Sequence, residues 1–331
     1  MNNRNGVRSN ILRVVTYHRV AEPNERPWLN PGLISATPDL FAQQMDVLAR
    51  EYQVVSMHDV LAAVREGRRL PERAVLITFD DGYRDFAEHA WPILKQRNLP
   101  ATVFVPTAYP DQPQRQFWWD KLHQVFARVE QEVLEDTPVG ALSLRTEADR
   151  RQSMKRFQNY IKTLRHEEAM RQVDALFAQV GPTPPDEPAV LGWEALRRLA
   201  GEGVVLAAHT QTHPVLNRTT VAHAREEIVG SQADLERHIG AALPVFSYPD
   251  GGHNEAVMQI LKEEGFLLAF NGPAGDDDLA TGNPLRIRRV NITRRTTPWL
   301  LRVRLARWFV PVERFRLRKR IAEITEEPID A

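Results

Sequence analysis

The stretch VLITFDDGYRD, residues 75–85, is a β-branched run that ends in two adjacent carboxylates, Asp80 and Asp81, followed by Gly82, a residue that lets the chain turn sharply off a strand end. In α/β barrels the catalytic and ligand groups gather at the carboxyl ends of the strands. Two neighbouring carboxylates there can divide the work of metal ligand and general base. An aspartate after a strand is also a common helix cap, so this triplet alone leaves both readings open.

The flanking sequence sets the triplet in an alternating chain. Residues 12–17, 74–79, 101–105, 204–208, 245–248, 266–270 and 285–292 read as strands, and 38–51, 85–97, 193–201, 221–239 and 255–264 read as amphipathic helices. Alternating order favours a parallel sheet, and about seven strands suggest an α/β barrel, a distorted (β/α) barrel in outline. Residues 114–188 break the rhythm: they are long, charged and helical in pattern, and they end in GPTPPDEP, whose four prolines cannot lie inside a helix or a central strand. The expected division is a first barrel part at 1–113, a helical insertion at 114–188, a second barrel part at 189–295 and a basic amphipathic C-terminal tail at 296–331.

Composition narrows the chemistry. The 331 residues are 43% hydrophobic, enough for a sizeable core, and their 43 basic and 43 acidic side chains cancel, so no nucleic-acid partner is expected. Cysteine is absent, which leaves His, Asp and Glu as metal ligands. The opening MNNRNGVRSNILRVVTYHRV lacks the apolar core of a secretion signal, and no run reaches the ~18 apolar residues of a membrane span, so a cytoplasmic location is expected. From Arg286 to Arg320 there are thirteen basic residues and one acidic residue, Glu313, interleaved with Trp299, Trp308, Phe309 and Phe315. Such a tail could meet an anionic membrane surface peripherally, or simply dock on the barrel.

A second motif, VVLAAHTQTHPVL at residues 204–216, runs from a strand into His209 and His213, with Pro214 stopping any continuation. Two histidines at that spacing and one carboxylate from elsewhere make a three-ligand site with open positions, the arrangement of catalytic metals. A third, FSYPDG, occupies residues 246–251.

In this order, TFDDG, HTQTHP and FSYPDG resemble the polysaccharide deacetylase family, also called NodB-homology or carbohydrate esterase family 4 enzymes. TYHRV at 16–20 and LGWEALRRLAGEGVVLAAHT at 191–210 look like its bacterial exopolysaccharide-cluster members. The resemblance covers roughly residues 12–292 without the insertion, and it implies a distorted (β/α) barrel. By matching positions it makes Asp81, His209 and His213 ligands of a divalent metal, zinc first, and Asp80 the catalytic base. It places the backbone N–H of Asp250 at the oxyanion, with Tyr248 as the aromatic at hand. The substrate it implies is an N-acetylated glycan or glycolipid, and the reaction a hydrolysis that frees acetate. Rival readings are a carbon–nitrogen hydrolase of a small amide, or a carbohydrate-binding barrel without activity.

Two departures bear on the site. Many members begin the third motif with Arg and carry an aromatic after the proline, where this chain has Ser247 and Asp250. The late motif that often supplies a His as general acid reads LRIRRVNI here, so His18, His253 and protonated Asp80 itself are the candidate acids, and Arg289 resembles an arginine that could orient Asp80.

Overall fold

A computed structural model describes residues 10–181, 187–273, 276–306, 308–309, 311–312 and 315. Seven parallel strands close into a barrel: β1 (Ile11–Tyr17), β3 (Ala74–Phe79), β4 (Thr102–Val105), β5 (Val205–Ala208), β6 (Val245–Ser247), β7 (Leu268–Pro273) and β9 (Ile287–Asn291). The ring shuts where β1 pairs in parallel with β3 on one side and β9 on the other. Two further strands of the same sheet lie outside the ring. β2 (Gln53–Val55) runs parallel to β3, and β8 (Asp276–Asp278) pairs antiparallel with β1.

Period-two alternation along the strands divides their side chains between two cores. Leu12, Val14, Leu76, Phe104, Ala207, Val245 and Ile287 join one buried cluster, which fills the barrel. Their neighbours Val15, Tyr17, Val75, Ile77, Val103, Leu206, Phe246 and Val290 join the other, together with the apolar faces of α1 (Pro38–Glu51), α3 (Trp91–Gln96), α7 (Trp193–Gly201), α8 (Val221–Ile239) and α9 (Glu255–Glu263). The same parity, continued past the strand ends, turns His18, Asp80, His209 and Arg289 inward above the first core.

Helix boundaries follow local chemistry. Thr37 caps α1 ahead of Pro38, and Ser56 and Asp59 close a reciprocal capping box on α2 (Met57–Glu66). Residues 85–97, read as one helix, instead form a wide π turn at Phe86–Ala90 followed by α3. Between β4 and α7 lie α4 (Trp118–His123), α5 (Glu147–Ile161), α6 (His166–Val180) and a short antiparallel pair, Val133–Leu134 with Leu142–Ser143. These share a separate core around Leu122, Phe126, Phe157, Val173 and Leu176. Part of the proline-rich stretch, 182–186, falls outside the described residues.

At the C-terminal side, α10 (Pro298–Leu305) docks on the barrel: Leu301 and Leu305 are buried, Arg302 pairs with Glu51, and Arg304 Nη1 donates to the Asn291 carbonyl. Most of the basic tail beyond it lies outside the described residues. Among those described, no helix is long and apolar enough to cross a membrane.

Candidate active site

The carboxyl ends of the strands surround a cavity of about 100 Å³ whose walls include His18, Asp80, Asp81, His209, His213, Asp250 and Arg289. β3 delivers the two aspartates, and the N–H of Asp80 bonds the Tyr17 carbonyl at 2.9 Å, so the end of β1 fixes the start of the turn. Among the described residues, four of the seven non-glycine residues with positive φ are here, Asp81, Thr210, His213 and Asp250, at 71°, 65°, 63° and 52°. Backbone in this region is held only where the surroundings over-determine it, as they do at functional sites.

Asp80 is 4% exposed and receives both guanidinium nitrogens of Arg289, Nη1 at 2.8 Å and Nη2 at 2.7 Å. Arg289 is anchored in turn by Nε donating to the Asn271 carbonyl at 3.2 Å. Burial pushes the Asp80 carboxyl up, but the guanidinium, with His209 beside it, outweighs burial and holds it below the ordinary carboxylate range. The base candidate is therefore ionised at neutral pH.

Asp81, His209 and His213 are all buried, and their donor atoms lie within 4.8 Å of one another. Asp81 Oδ1 stands 3.6 Å from His209 Nε2 and 3.3 Å from His213 Nε2, and it is buried without a hydrogen-bond partner. A buried carboxylate oxygen left unpaired between two imidazoles is costly, and a divalent cation would remove that cost. The residues thus fit a metal. His209 is prepared for it: Nδ1 meets the Ser247 carbonyl at 2.8 Å, which leaves Nε2 for the site. Burial opposes charge on His213, yet neighbouring Asp81 holds its pKa above the ordinary value, while the imidazoles hold Asp81 well below the carboxylate range. Protons would compete with a metal for these donors.

The structure separates the remaining candidates. His18 lines the cavity, whereas His253 stands behind it, Nδ1 on the Gly251 carbonyl at 2.7 Å and ring stacked on Tyr248. Tyr248 is 1% exposed, with its hydroxyl donating to the Leu285 carbonyl, so it supports the wall from outside. Asp250 is the middle residue of the short turn Pro249–Gly251, in which Pro249 has no N–H and the Gly251 N–H donates to the Tyr248 carbonyl at 2.9 Å.

Sequence reasoning did not single out several neighbours. The aromatics of FWW, residues 117–119, are among them. Phe117 and Trp119 pack with Tyr83 and Tyr109, and Trp119 also lines the cavity with its ring edge-on to His213 at 5.0 Å. Trp119 Nε1 donates to Tyr83 Oη at 2.8 Å, Tyr83 donates to Asp120 Oδ2 at 2.9 Å, and Asp120 Oδ1 accepts the Asn30 N–H at 2.6 Å. Only the chain fold joins residues 30, 83 and 119–120; a buried Asp in WWDKL was the one available signal.

Comparison with known proteins agrees with this geometry. A 62-residue stretch is 42% identical to the poly-β-1,6-N-acetyl-D-glucosamine N-deacetylase of Escherichia coli K12, covering 19% of this chain and 9% of that protein. The chain therefore aligns with less than a tenth of that relative's length. In fold it is similar to the Streptococcus pyogenes deacetylase PplD, solved with acetate, at a TM-score of 0.61 and 19% identity over 90% of this chain and 99% of that one. IcaB from Ammonifex degensii gives 0.59 and 21% over 90% and 98%. Residues 67–269 match the family profile described as polysaccharide deacetylase. This chain belongs to the polysaccharide deacetylase family.

Proposed function

We propose that this chain hydrolyses the N-acetyl group of an amino sugar within a glycan or lipid-linked glycan precursor, using a divalent metal, with zinc the first choice. The observation that carries the reading is the pairing of an Arg289-held, ionised Asp80 with the Asp81, His209 and His213 donor cluster in one cavity. A divalent ion bound there would polarise the acyl carbonyl and make water a stronger acid. Asp80 accepts the proton of the attacking water, and Arg289 keeps the carboxylate aimed and ionised. The Asp250 N–H faces the developing oxyanion. His18, the histidine on the cavity wall outside the donor set, gives a proton to the leaving amine.

The cavity's about 100 Å³ is well below the ~300–1,000 Å³ of sites that swallow a whole ligand. It suits an acetamido head, with the sugar ring left at the rim and the rest of the glycan outside. The unit 114–188 we propose as an inserted subdomain, supported by its own core and by Trp119 reaching the cavity. Peripheral membrane contact of the tail finds less support, because Arg302 and Arg304 are already engaged with the barrel side.

The test is metal content and acetate release measured together, on N-acetylglucosamine oligomers and lipid-linked N-acetyl sugars. The native chain should bind metal and free acetate, Asp80→Asn should keep the metal and lose turnover, and His209→Ala should lose both. Activity that survives Asp80→Asn would refute the assigned base.

A further inference from the structure

Helix α8 lies against the loop that carries both histidines, and one stripe of it is shaped to that loop. The Glu227 carboxylate, 3% exposed, accepts the N–H groups of Gln211 and Thr212 on Oε2, each at 2.8 Å, and the Thr212 hydroxyl on Oε1 at 2.5 Å. Seven residues on, Asp234 Oδ2 accepts the Thr107 hydroxyl at 2.7 Å and the Gln211 side-chain amide at 2.8 Å. Between them is Gly230, where an added Cβ would collide with the Gln211 side chain. Positions three, four and seven apart share a helix face, so these three act on the loop together.

The loop needs such a template. Thr210 and His213 both have left-handed backbone, a region that side chains other than glycine rarely adopt. The Thr210 and Gln211 carbonyls are tied to the N–H groups of Thr107 and Ala108 at 3.1 and 3.0 Å. Among the described residues, the N–H groups of Gln211 and Thr212 are tied to Glu227 alone.

We propose that Glu227 is a positioning residue for the metal donors: by holding residues 210–212 in their turn, it sets the spacing of His209 and His213, and through it the affinity for a divalent ion. The proposal rests on the reading of Asp81, His209 and His213 as a metal site. Groups that orient ligands in this indirect way typically carry about 10- to 100-fold in metal affinity.

The experiment is zinc affinity of the full chain by competition with a chromophoric chelator, alongside the thermal midpoint and the split of kcat from KM. Glu227→Ala should fold and bind zinc about 10- to 100-fold more weakly, with kcat reduced at saturating sugar and KM changed less than about twofold. Glu227→Gln keeps an acceptor for both N–H groups and should recover affinity to within about threefold of native. Ile228→Ala, a buried cavity variant on the same helix, should lower the midpoint and leave affinity unchanged. If Glu227→Ala does not fold, Glu227→Asp, one methylene shorter, stands in with the same threshold. Affinity within twofold of native in the folded Glu227 variant, or an equal loss in Ile228→Ala, overturns the proposal. A native chain that binds no divalent ion overturns the metal reading itself, which sets that failure apart.

Discussion

Asp120 gives the sharpest test of how burial sets chemistry in this molecule. It is fully buried, and desolvation raises its pKa to about 7, while its bonds from the Asn30 N–H and Tyr83 hydroxyl only partly oppose the rise. The sign follows from proton counting. Between pH 4 and 7 the folded chain holds this proton and the unfolded chain has lost it, so the group's contribution is full below the unfolded pKa and is lost as pH rises through about 7. From an unfolded value of ~3.9 to about 7 the loss is roughly 4 kcal/mol, or about 1.4 kcal/mol for each pH step in that window. Asp120→Asn has the same shape and nothing to titrate. Urea unfolding of both chains at pH 4.5, 5.5, 6.5 and 7.5 gives the difference, in which the other carboxylates cancel. Native stability should fall relative to the variant across this window, with most of the roughly 4 kcal/mol gone by pH 7.5. Parallel curves would show that Asp120 is ionised throughout and would refute the burial argument.

Two further outcomes follow from the same packing. Arg289→Met leaves Asp80 buried without its counter-ion, so stability at neutral pH should drop by about 3–5 kcal/mol and acetate release by at least ~10²-fold, read by denaturant melts and kcat. Unchanged turnover would remove Arg289 from the machinery. Phe157→Ala empties the centre of the core between α5 and α6 and should cost about 3–5 kcal/mol there. Hydrogen exchange should then show residues 147–180 opening before the barrel strands; uniform loss of protection would mean the two cores unfold as one.

Much of the barrel was legible because its strands are short, apolar and regularly interrupted, and because strands with two buried faces show as continuous runs. TFDDG and HTQTHP were legible for a related reason, each being a strand that ends in groups of unusual chemistry. Helix 85–97 was misread as regular because a π turn keeps the apolar periodicity nearly intact. β2 and β8 were missed because three-residue edge strands carry too few residues for a pattern.

The sequence by itself determined the strand alternation, the order of the motifs and the parity that turns His18, Asp80, His209 and Arg289 to one side, since all of these are local properties of a period-two chain. Tertiary structure alone decided which distant groups meet. Arg289 reaches Asp80 across 209 residues, Glu227 reaches the histidine loop from the face of α8 packed against it, and Trp119 arrives from between the barrel halves. It also separated His18 from His253, which stand alike in the sequence and differ only in whether the closed barrel leaves the ring on the cavity wall or stacks it behind Tyr248. Such choices depend on ring closure and on through-space burial, quantities that no local pattern encodes.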